Sequence, residues 1–272
     1  MRGLGLDSPE ACEHLDRVLR IVDVVQEVIE AAPQTQPEPG SKLEKLAQEF
    51  DNLETIKVFP TLQFSLHQAF GALGSIRTLL RADEEKFIPA IQSLLRTATL
   101  ASARVIWTLS DDDYATCQER LHRIMGEELR NLSRAAKESS HFHVLMDVAA
   151  QPRHIDAIDR DLDTYGRLQR FFETDFLIEF SQDLEKNMRS AGNDPRGAVS
   201  EFVMWLWKTS SSYAHGMGWT HYIGASNANG AGDFVADFSM VASFAHTASD
   251  VFLRASTNPV RTSLMIGDSN NK

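Results

Sequence analysis

The sequence predicts an all-α protein, an irregular bundle of about eight helices. Apolar residues recur at spacings of three and four in every long segment, as they do along the buried face of a helix. No segment shows the alternation of apolar and polar residues that marks a half-buried strand. Turn-forming residues separate the helical segments, and no repeat of fixed length indicates a solenoid.

Several helices have a recognisable start. Ser8 and Pro9 suit the cap and the first position of the first helix, while Ser110 and Asp233 are expected to cap the fifth helix and the last one. Small side chains over 97–103 would let a neighbour approach the fourth helix closely, so we expect that helix to be central. The expected helical segments are 9–29, 42–50, 60–82, 87–109, 111–138, 155–172, 176–189, 195–215 and 234–256.

Length and composition define the class of protein. We expect one helical domain over 1–268, with an exposed loop at 32–41 and a disordered tail at 269–272. The net charge of -11 disfavours broad contact with nucleic acid or anionic lipid. Cys12 and Cys117 are too few for a disulfide framework. Neither a signal peptide nor an apolar run long enough to span a bilayer is recognisable, so the expected location is cytoplasmic.

The segment 205–219 carries the densest set of chemical groups. It contains three of the four tryptophans, a run of hydroxyls and His215. If its helix ends at Gly216, His215 lies in the last turn, where the negative end of the dipole favours the imidazolium form. Such a histidine can bind a phosphate or transfer a proton. A purely structural role, bonding a free carbonyl beneath Trp219, is equally consistent with the pattern.

Serine hydrolysis finds little support. Ser212 and His215 are three residues apart and share a helical face. A serine nucleophile also needs an orienting acid and an oxyanion hole, and the sequence has no G-x-S-x-G elbow.

Metal and nucleotide cofactors are not expected. His141 and His143 are two apart, a spacing that shares no helical face. Asp156, Asp159 and Asp163 do share a face, but no Glu-x-x-His motif accompanies them, so we interpret them as a solvent-exposed face. The sequence has neither a P-loop nor a Gly-x-Gly-x-x-Gly motif after a strand.

Three arginines form a second candidate set. Arg96 lies in the middle of the apolar fourth helix, and Arg120 and Arg123 lie on the fifth helix, which is expected to fold back on the fourth. Arginines between helices can clamp a carboxylate or phosphate. Alternatively they form salt bridges with Glu119, Glu127 or Glu128. We favour the salt bridges for Arg120 and leave both roles open for Arg96.

These residues belong to short motifs that resemble a family of all-helical bacterial proteins, commonest in actinobacteria, whose function is not known. The motifs are Leu94-Leu95-Arg96, Trp107-x-Leu109, Arg120-x-x-Arg123 and the segment Ser211-Ser212-Tyr213-Ala214-His215-Gly216. Family members often have a glutamate one turn after the arginine, where this chain has Thr99 and Leu100. The resemblance implies that Arg96, Trp107 and His215 belong to one pocket.

Two functions remain after these considerations. In the first, the protein binds a small anionic ligand or a protein partner, without turnover, in a pocket between helices near His215. If there is catalysis, its candidates are His215, Ser212 and Arg96. The expected binding residues are Arg96, Trp107, Arg120, Arg123, Tyr213, His215 and Trp219.

The second function comes from a resemblance to the HEPN-type helical ribonucleases of toxin and phage-defence systems, which need no metal. Those enzymes pair an arginine and a histidine four to six residues apart on a helix, usually across a homodimer. Arg134 and His141 fit that spacing loosely, and Ala135 stands where a polar residue is typical. The acidic net charge also argues against RNA binding.

Overall fold

The structure, a computed structural model, describes residues 9–31, 36–82, 88–139, 151–165, 171–190, 192, 198–215 and 230–257. These residues contain nine α-helices and no β-strand, so the predicted all-α class is confirmed. The helices are α1 (Pro9–Ala31), α2 (Lys42–Gln48), α3 (Val58–Ala82), α4 (Ile88–Leu109), α5 (Tyr114–Ser139), α6 (Gln151–Tyr165), α7 (Glu173–Ser190), α8 (Ala198–Ala214) and α9 (Gly230–Ser256). Within the described residues, no helix has both the length and the apolar character that a bilayer span requires.

The chain divides into two compact units. Unit 1 comprises Met1–Ala32, Phe64–Ile106 and Glu173–Phe252, and unit 2 comprises Pro33–Gln63, Trp107–Phe172 and Leu253–Lys272. Each unit buries its own set of large apolar side chains, the main source of folding free energy. In unit 1 they include Leu66, Leu73, Ile76, Leu95, Phe176, Phe180, Leu206 and Phe238. In unit 2 they include Leu43, Leu46, Leu53, Trp107, Leu121, Met125 and Leu129.

Within unit 1, α7 and α8 pack as an antiparallel pair. Near the end of α7, the buried Glu185 accepts a hydrogen bond of 2.9 Å from the backbone N–H of Ser200, in the first turn of α8. This bond caps α8, since the first N–H groups of a helix have no partner within it. The same bond holds the pKa of Glu185 below its usual value. At the other end of the pair, the Trp207 indole contacts Glu173, the first residue of α7.

Within unit 2, a buried carboxylate fixes the loop before α3. Asp161 of α6 is only 1% exposed and accepts backbone N–H bonds of 2.7 Å from both Glu54 and Thr55. The Thr55 hydroxyl donates a third bond to it. Burial opposes ionisation, but the three bonds prevail and lower the pKa of Asp161.

Lysine and arginine side chains cap the end of α4 in the same unit. Lys42 Nζ donates to the carbonyls of Leu109 and Asp111, at 3.1 and 2.6 Å. Arg120 Nη1 donates to the carbonyl of Trp107 at 3.0 Å. The last carbonyls of a helix lack intrahelical donors and carry its negative dipole end, so cations are favourable there.

Some predicted boundaries were wrong. Asp113, not Ser110, caps α5, because its Oδ2 accepts the Thr116 N–H at 3.0 Å. The last helix begins at Gly230, ahead of the predicted cap at Asp233.

The remaining boundary errors concern prolines and an apolar stripe. Pro60 is the third residue of α3 rather than its first, and Pro152 lies in the first turn of α6, which begins at Gln151 rather than at the predicted residue 155. Proline is tolerated in both places because first-turn N–H groups need no intrahelical acceptor. The apolar stripe of α6 was extended too far, since α6 ends at Tyr165 and Phe172 is not helical. The predicted tail, 269–272, lies outside the described residues.

Candidate functional site

An arginine on α4 connects three helices of unit 1. Arg96 Nε donates to the Ser211 hydroxyl of α8 at 3.0 Å, and Arg96 Nη2 donates to Glu173 Oε2 of α7 at 2.8 Å. Trp207 Nε1 lies 3.4 Å from the same carboxylate oxygen. We call these four residues, Arg96, Glu173, Trp207 and Ser211, the Arg96 cluster. It brings a cation, an anion, an indole and a hydroxyl together.

Local sequence explains why Arg96 reaches this position. Its neighbours Leu95 and Ala98 are fully buried, so the helix face next to Arg96 is fixed in the core. One turn earlier, Gln92 Oε1 accepts a hydrogen bond of 3.2 Å from the Ser210 hydroxyl. Residues 92 and 96 are four apart and therefore lie on the same face of α4. The adjacent hydroxyls of Ser210 and Ser211 on α8 thus bind Gln92 and Arg96 on α4. These two bonds set the register between the two helices.

The Arg96 side chain is only 25% exposed, whereas that of Glu173 is 43% exposed. Burying a charge costs free energy unless it is paired. Ser211 therefore fixes Arg96, the more buried partner, while Glu173 is the partner that is open to solvent. Arginine carries five N–H donors, and Nε and Nη2 supply the two described contacts.

α8 ends at Ala214, so His215 lies immediately after the helix rather than within its predicted last turn. Its backbone N–H donates to the Ser211 carbonyl at 3.0 Å, which closes the last turn, and its side chain is exposed. Because residues 211 and 215 are four apart, His215 follows Ser211 on the same face, one turn farther along. Tyr213 is half-buried, and Ser212 is 1% exposed. A serine so deeply buried is poorly placed for attack on a substrate.

Trp107, Arg120 and Arg123 meet in unit 2. The guanidinium carbons of Arg120 and Arg123 lie 5.3 and 4.8 Å from the Trp107 ring centroid. Arg120 also lies 3.8 Å from an oxygen of Asp111, in addition to its bond to the Trp107 carbonyl. Such contacts are expected of an arginine with a structural role. The acidic partner is Asp111, whereas Glu119, Glu127 and Glu128 were the partners considered from the sequence. Of those glutamates, Glu127 forms an ion pair with Arg130.

Comparison with known proteins gave no match: no family model, no curated protein and no solved structure is similar to this chain. The resemblance of the short motifs therefore stays a prediction. Function has to be inferred from the chemistry of the side chains themselves.

The structure gathers the expected binding residues into two groups. Arg96, Tyr213 and His215 belong to unit 1, while Trp107, Arg120 and Arg123 belong to unit 2. Trp219 lies outside the described residues. The single pocket implied by the family resemblance stays a prediction.

The residues considered as metal ligands or as ribonuclease residues are mostly exposed, or they lie outside the described residues. Asp159 pairs with Lys137 at 3.6 Å on the surface, and Asp156 and Asp163 are exposed. Within the part of the chain that the structure describes, no cluster of three or more His, Cys, Asp or Glu side chains forms a metal site. His141 and His143 lie outside that part, and Arg134 is exposed near the end of α5.

Sequence reasoning missed Glu173 of the Arg96 cluster. The seventh helix was predicted to begin at Phe176, so Glu173 was placed in a loop. The signal was present, since Glu173 and Asp175 form an acidic first turn, which complements the positive end of a helix dipole. The pairing with Arg96 spans 77 residues of sequence and follows from no local pattern.

In unit 2, residues on three successive turns of α5 contact the carboxylate of Glu49. Sequence reasoning did not predict this arrangement either. Tyr114 donates to Glu49 Oε1 at 2.8 Å, and Gln118 donates to its other oxygen. His122 Nε2 lies 4.0 Å from the same oxygen. Burial and the bond to Glu49 raise the pKa of Tyr114 to about 12. These contacts tie the end of α2 to α5, and a structural role accounts for them.

Proposed function

We propose that the protein binds, without turnover, a small ligand that presents an anionic group to Arg96. One observation carries the proposal: Arg96 is partly buried and orientated by Ser211, yet its ionic partner Glu173 is open to solvent. A guanidinium held in this way is preorganised, because the side-chain entropy of ordering it does not have to be lost on binding.

His215 supports the same proposal. It is exposed at the carboxyl end of α8, one turn beyond the hydroxyl that Arg96 binds. Its imidazole can donate a hydrogen bond to an anionic group.

Thermal unfolding in the presence of small anions tests the proposal. We expect phosphate, small carboxylates or nucleotides to stabilise the wild-type protein, by about 2.7 kcal/mol at a concentration a hundred times the Kd. Arg96→Gln should abolish this stabilisation while costing about 1 kcal/mol without ligand, since the ion pair is partly exposed. His215→Ala should weaken binding and change the unfolding free energy by less than about 1 kcal/mol.

Two control variants make the test specific. Lys208→Gln removes an exposed charge from the same helix and should leave ligand stabilisation unchanged. His215→Gln keeps hydrogen bonding but removes titration, so loss of stabilisation in His215→Ala alone would indicate a hydrogen bond rather than a charge. Equal ligand stabilisation of the wild type and Arg96→Gln would show that Arg96 does not bind the anion.

A further inference from the structure

The Arg96 cluster contains one positive and one negative charge in direct contact. Arg96 Nη2 and Glu173 Oε2 are 2.8 Å apart, and only this one nitrogen and one oxygen meet. Arginine–carboxylate pairs frequently form two parallel hydrogen bonds, as Arg160 and Glu54 do in unit 2. The single contact leaves Glu173 Oε1 without a donor among the described residues, so both partners retain capacity to bind other groups.

A simple anion is a weaker match for this arrangement than a ligand that also carries a cation. At a separation of about 5 Å and an effective dielectric constant of about 20, repulsion between a bound anion and the Glu173 carboxylate would weaken binding by up to about two-hundredfold. A ligand that brings its own cation avoids the penalty, because the cation can pair with Glu173.

We therefore infer that the ligand is a zwitterion with a carboxylate and an ammonium group on one carbon atom, the arrangement found in α-amino acids. This inference rests on the proposed function. The ligand carboxylate pairs with Arg96, and its ammonium pairs with Glu173. The two ligand charges are about as far apart as the Arg96 and Glu173 atoms that now touch, so four charges of alternating sign form a closed ring.

Trp207 helps to position the Glu173 carboxylate to which the ligand ammonium would bind. Its Nε1 lies 3.4 Å from Glu173 Oε2, which is long for a hydrogen bond but places the N–H edge of the indole against the carboxylate. Trp207 is half-buried, so its ring is already partly ordered by packing.

Calorimetric titration and thermal unfolding with matched probes test the inference. The standard amino acids are screened first, each at millimolar concentration, together with inorganic phosphate and acetate. The best amino acid is then compared with its N-acetyl derivative, which lacks the ammonium charge, and with its amide, which lacks the carboxylate. We expect both derivatives to bind at least about tenfold more weakly than the free amino acid, since each loses one charge pair.

Variants assign each charge to a residue. Glu173→Gln should weaken binding of the amino acid at least about tenfold and leave binding of the N-acetyl derivative unchanged or stronger. Arg96→Gln should abolish binding of both. Asp175→Asn removes an exposed charge from the same first turn of α7 and should change neither affinity. Circular dichroism of each variant establishes that the helices remain folded.

The outcomes separate this inference from the proposed function. If the N-acetyl derivative binds as tightly as the amino acid, or Glu173→Gln leaves amino acid binding intact, the inference is wrong and an anion site remains. Binding of phosphate or acetate that depends on Arg96, with no amino acid bound, leads to the same conclusion. If neither amino acids nor anions bind, both the inference and the proposed function are wrong.

Discussion

Replacing Asp161 should destabilise unit 2 more than any surface change. Its carboxylate is 1% exposed and accepts three hydrogen bonds, two from the backbone of Glu54 and Thr55 and one from the Thr55 hydroxyl. Alanine would leave these donors without their acceptor in a buried setting. Asparagine would retain one acceptor oxygen, but its NH2 group, itself a donor, would face one of the N–H or O–H donors that now bind the carboxylate.

The expected losses follow from these contacts. Hydrogen bonds to charged groups contribute about 1.5–3 kcal/mol each, but single substitutions seldom exceed about 4 kcal/mol because the site relaxes. We therefore expect Asp161→Ala to cost about 4 kcal/mol and Asp161→Asn about 3 kcal/mol. Thr55→Val removes only the hydroxyl donor and should cost about 1 kcal/mol.

Calorimetric and urea unfolding at neutral pH measure these differences. At about 3 °C per kcal/mol for a protein of this size, a loss of about 4 kcal/mol in Asp161→Ala should lower the midpoint of thermal unfolding by about 12 °C. In the double variant of Asp161→Ala and Thr55→Val, the loss should fall below the sum, because both changes remove the same bond. A loss under about 1 kcal/mol for both Asp161 variants would refute the reasoning.

The lowered pKa of Asp161 also predicts the direction of a pH effect. A carboxylate whose pKa is lower in the folded state stabilises the protein fully above its unfolded pKa of roughly 3.9. This contribution is lost as the pH falls through the lower folded pKa. The difference in unfolding free energy between the wild type and Asp161→Asn should therefore shrink on acidification below about pH 4. A constant difference across that range would contradict the assignment.

The other predictions concern the cations at the end of α4. Lys42→Met should cost about 2 kcal/mol, because two carbonyls lose a charged donor, whereas Lys45→Met on the exposed face of α2 should cost under about 0.5 kcal/mol. Arg120→Met should cost about 2–3 kcal/mol and Arg123→Met about 1 kcal/mol, since both arginines stack on Trp107 but Arg120 also bonds its carbonyl. Urea unfolding measures all four, and equal losses for the two arginine variants would contradict the ranking.

The helices could be predicted because the patterns that specify a helix lie within its own stretch of sequence. Apolar spacing located all nine helices of the described residues, and prolines and glycines located most of the breaks. Boundaries were harder where two residues offered the same chemistry. Ser110 and Asp113 are both good caps, and their own side chains do not decide between them. In the structure the Asp111 carbonyl of this segment accepts a hydrogen bond from Lys42, a contact that local sequence does not reveal.

The candidate site was harder to predict because its parts are distant in sequence. Arg96 and His215 could be selected one at a time, since an arginine within an apolar helix and a histidine at a helix end each stand out. Their connection through Ser211 and the role of Glu173 depend on which helices pack together, and neither is encoded in spacing. Burial of Asp161 could not be predicted either, because its neighbours Asp159 and Asp163 belong to an exposed face.

The way α7 holds both ends of α8 limits how this protein can change over evolutionary time. Glu185 caps the start of α8, and Glu173 meets the side chain of Trp207 and the arginine that binds Ser211. Each residue of an α-helix turns the chain by about 100°, so one inserted residue between Ser200 and Ser211 would rotate Ser211 away from Arg96. Seven inserted residues, close to two full turns, would restore the direction but lengthen α8 by about 10 Å relative to α7. Related chains that retain the Arg96 cluster must therefore keep the lengths of α7 and α8 matched, while the segment between these helices can vary.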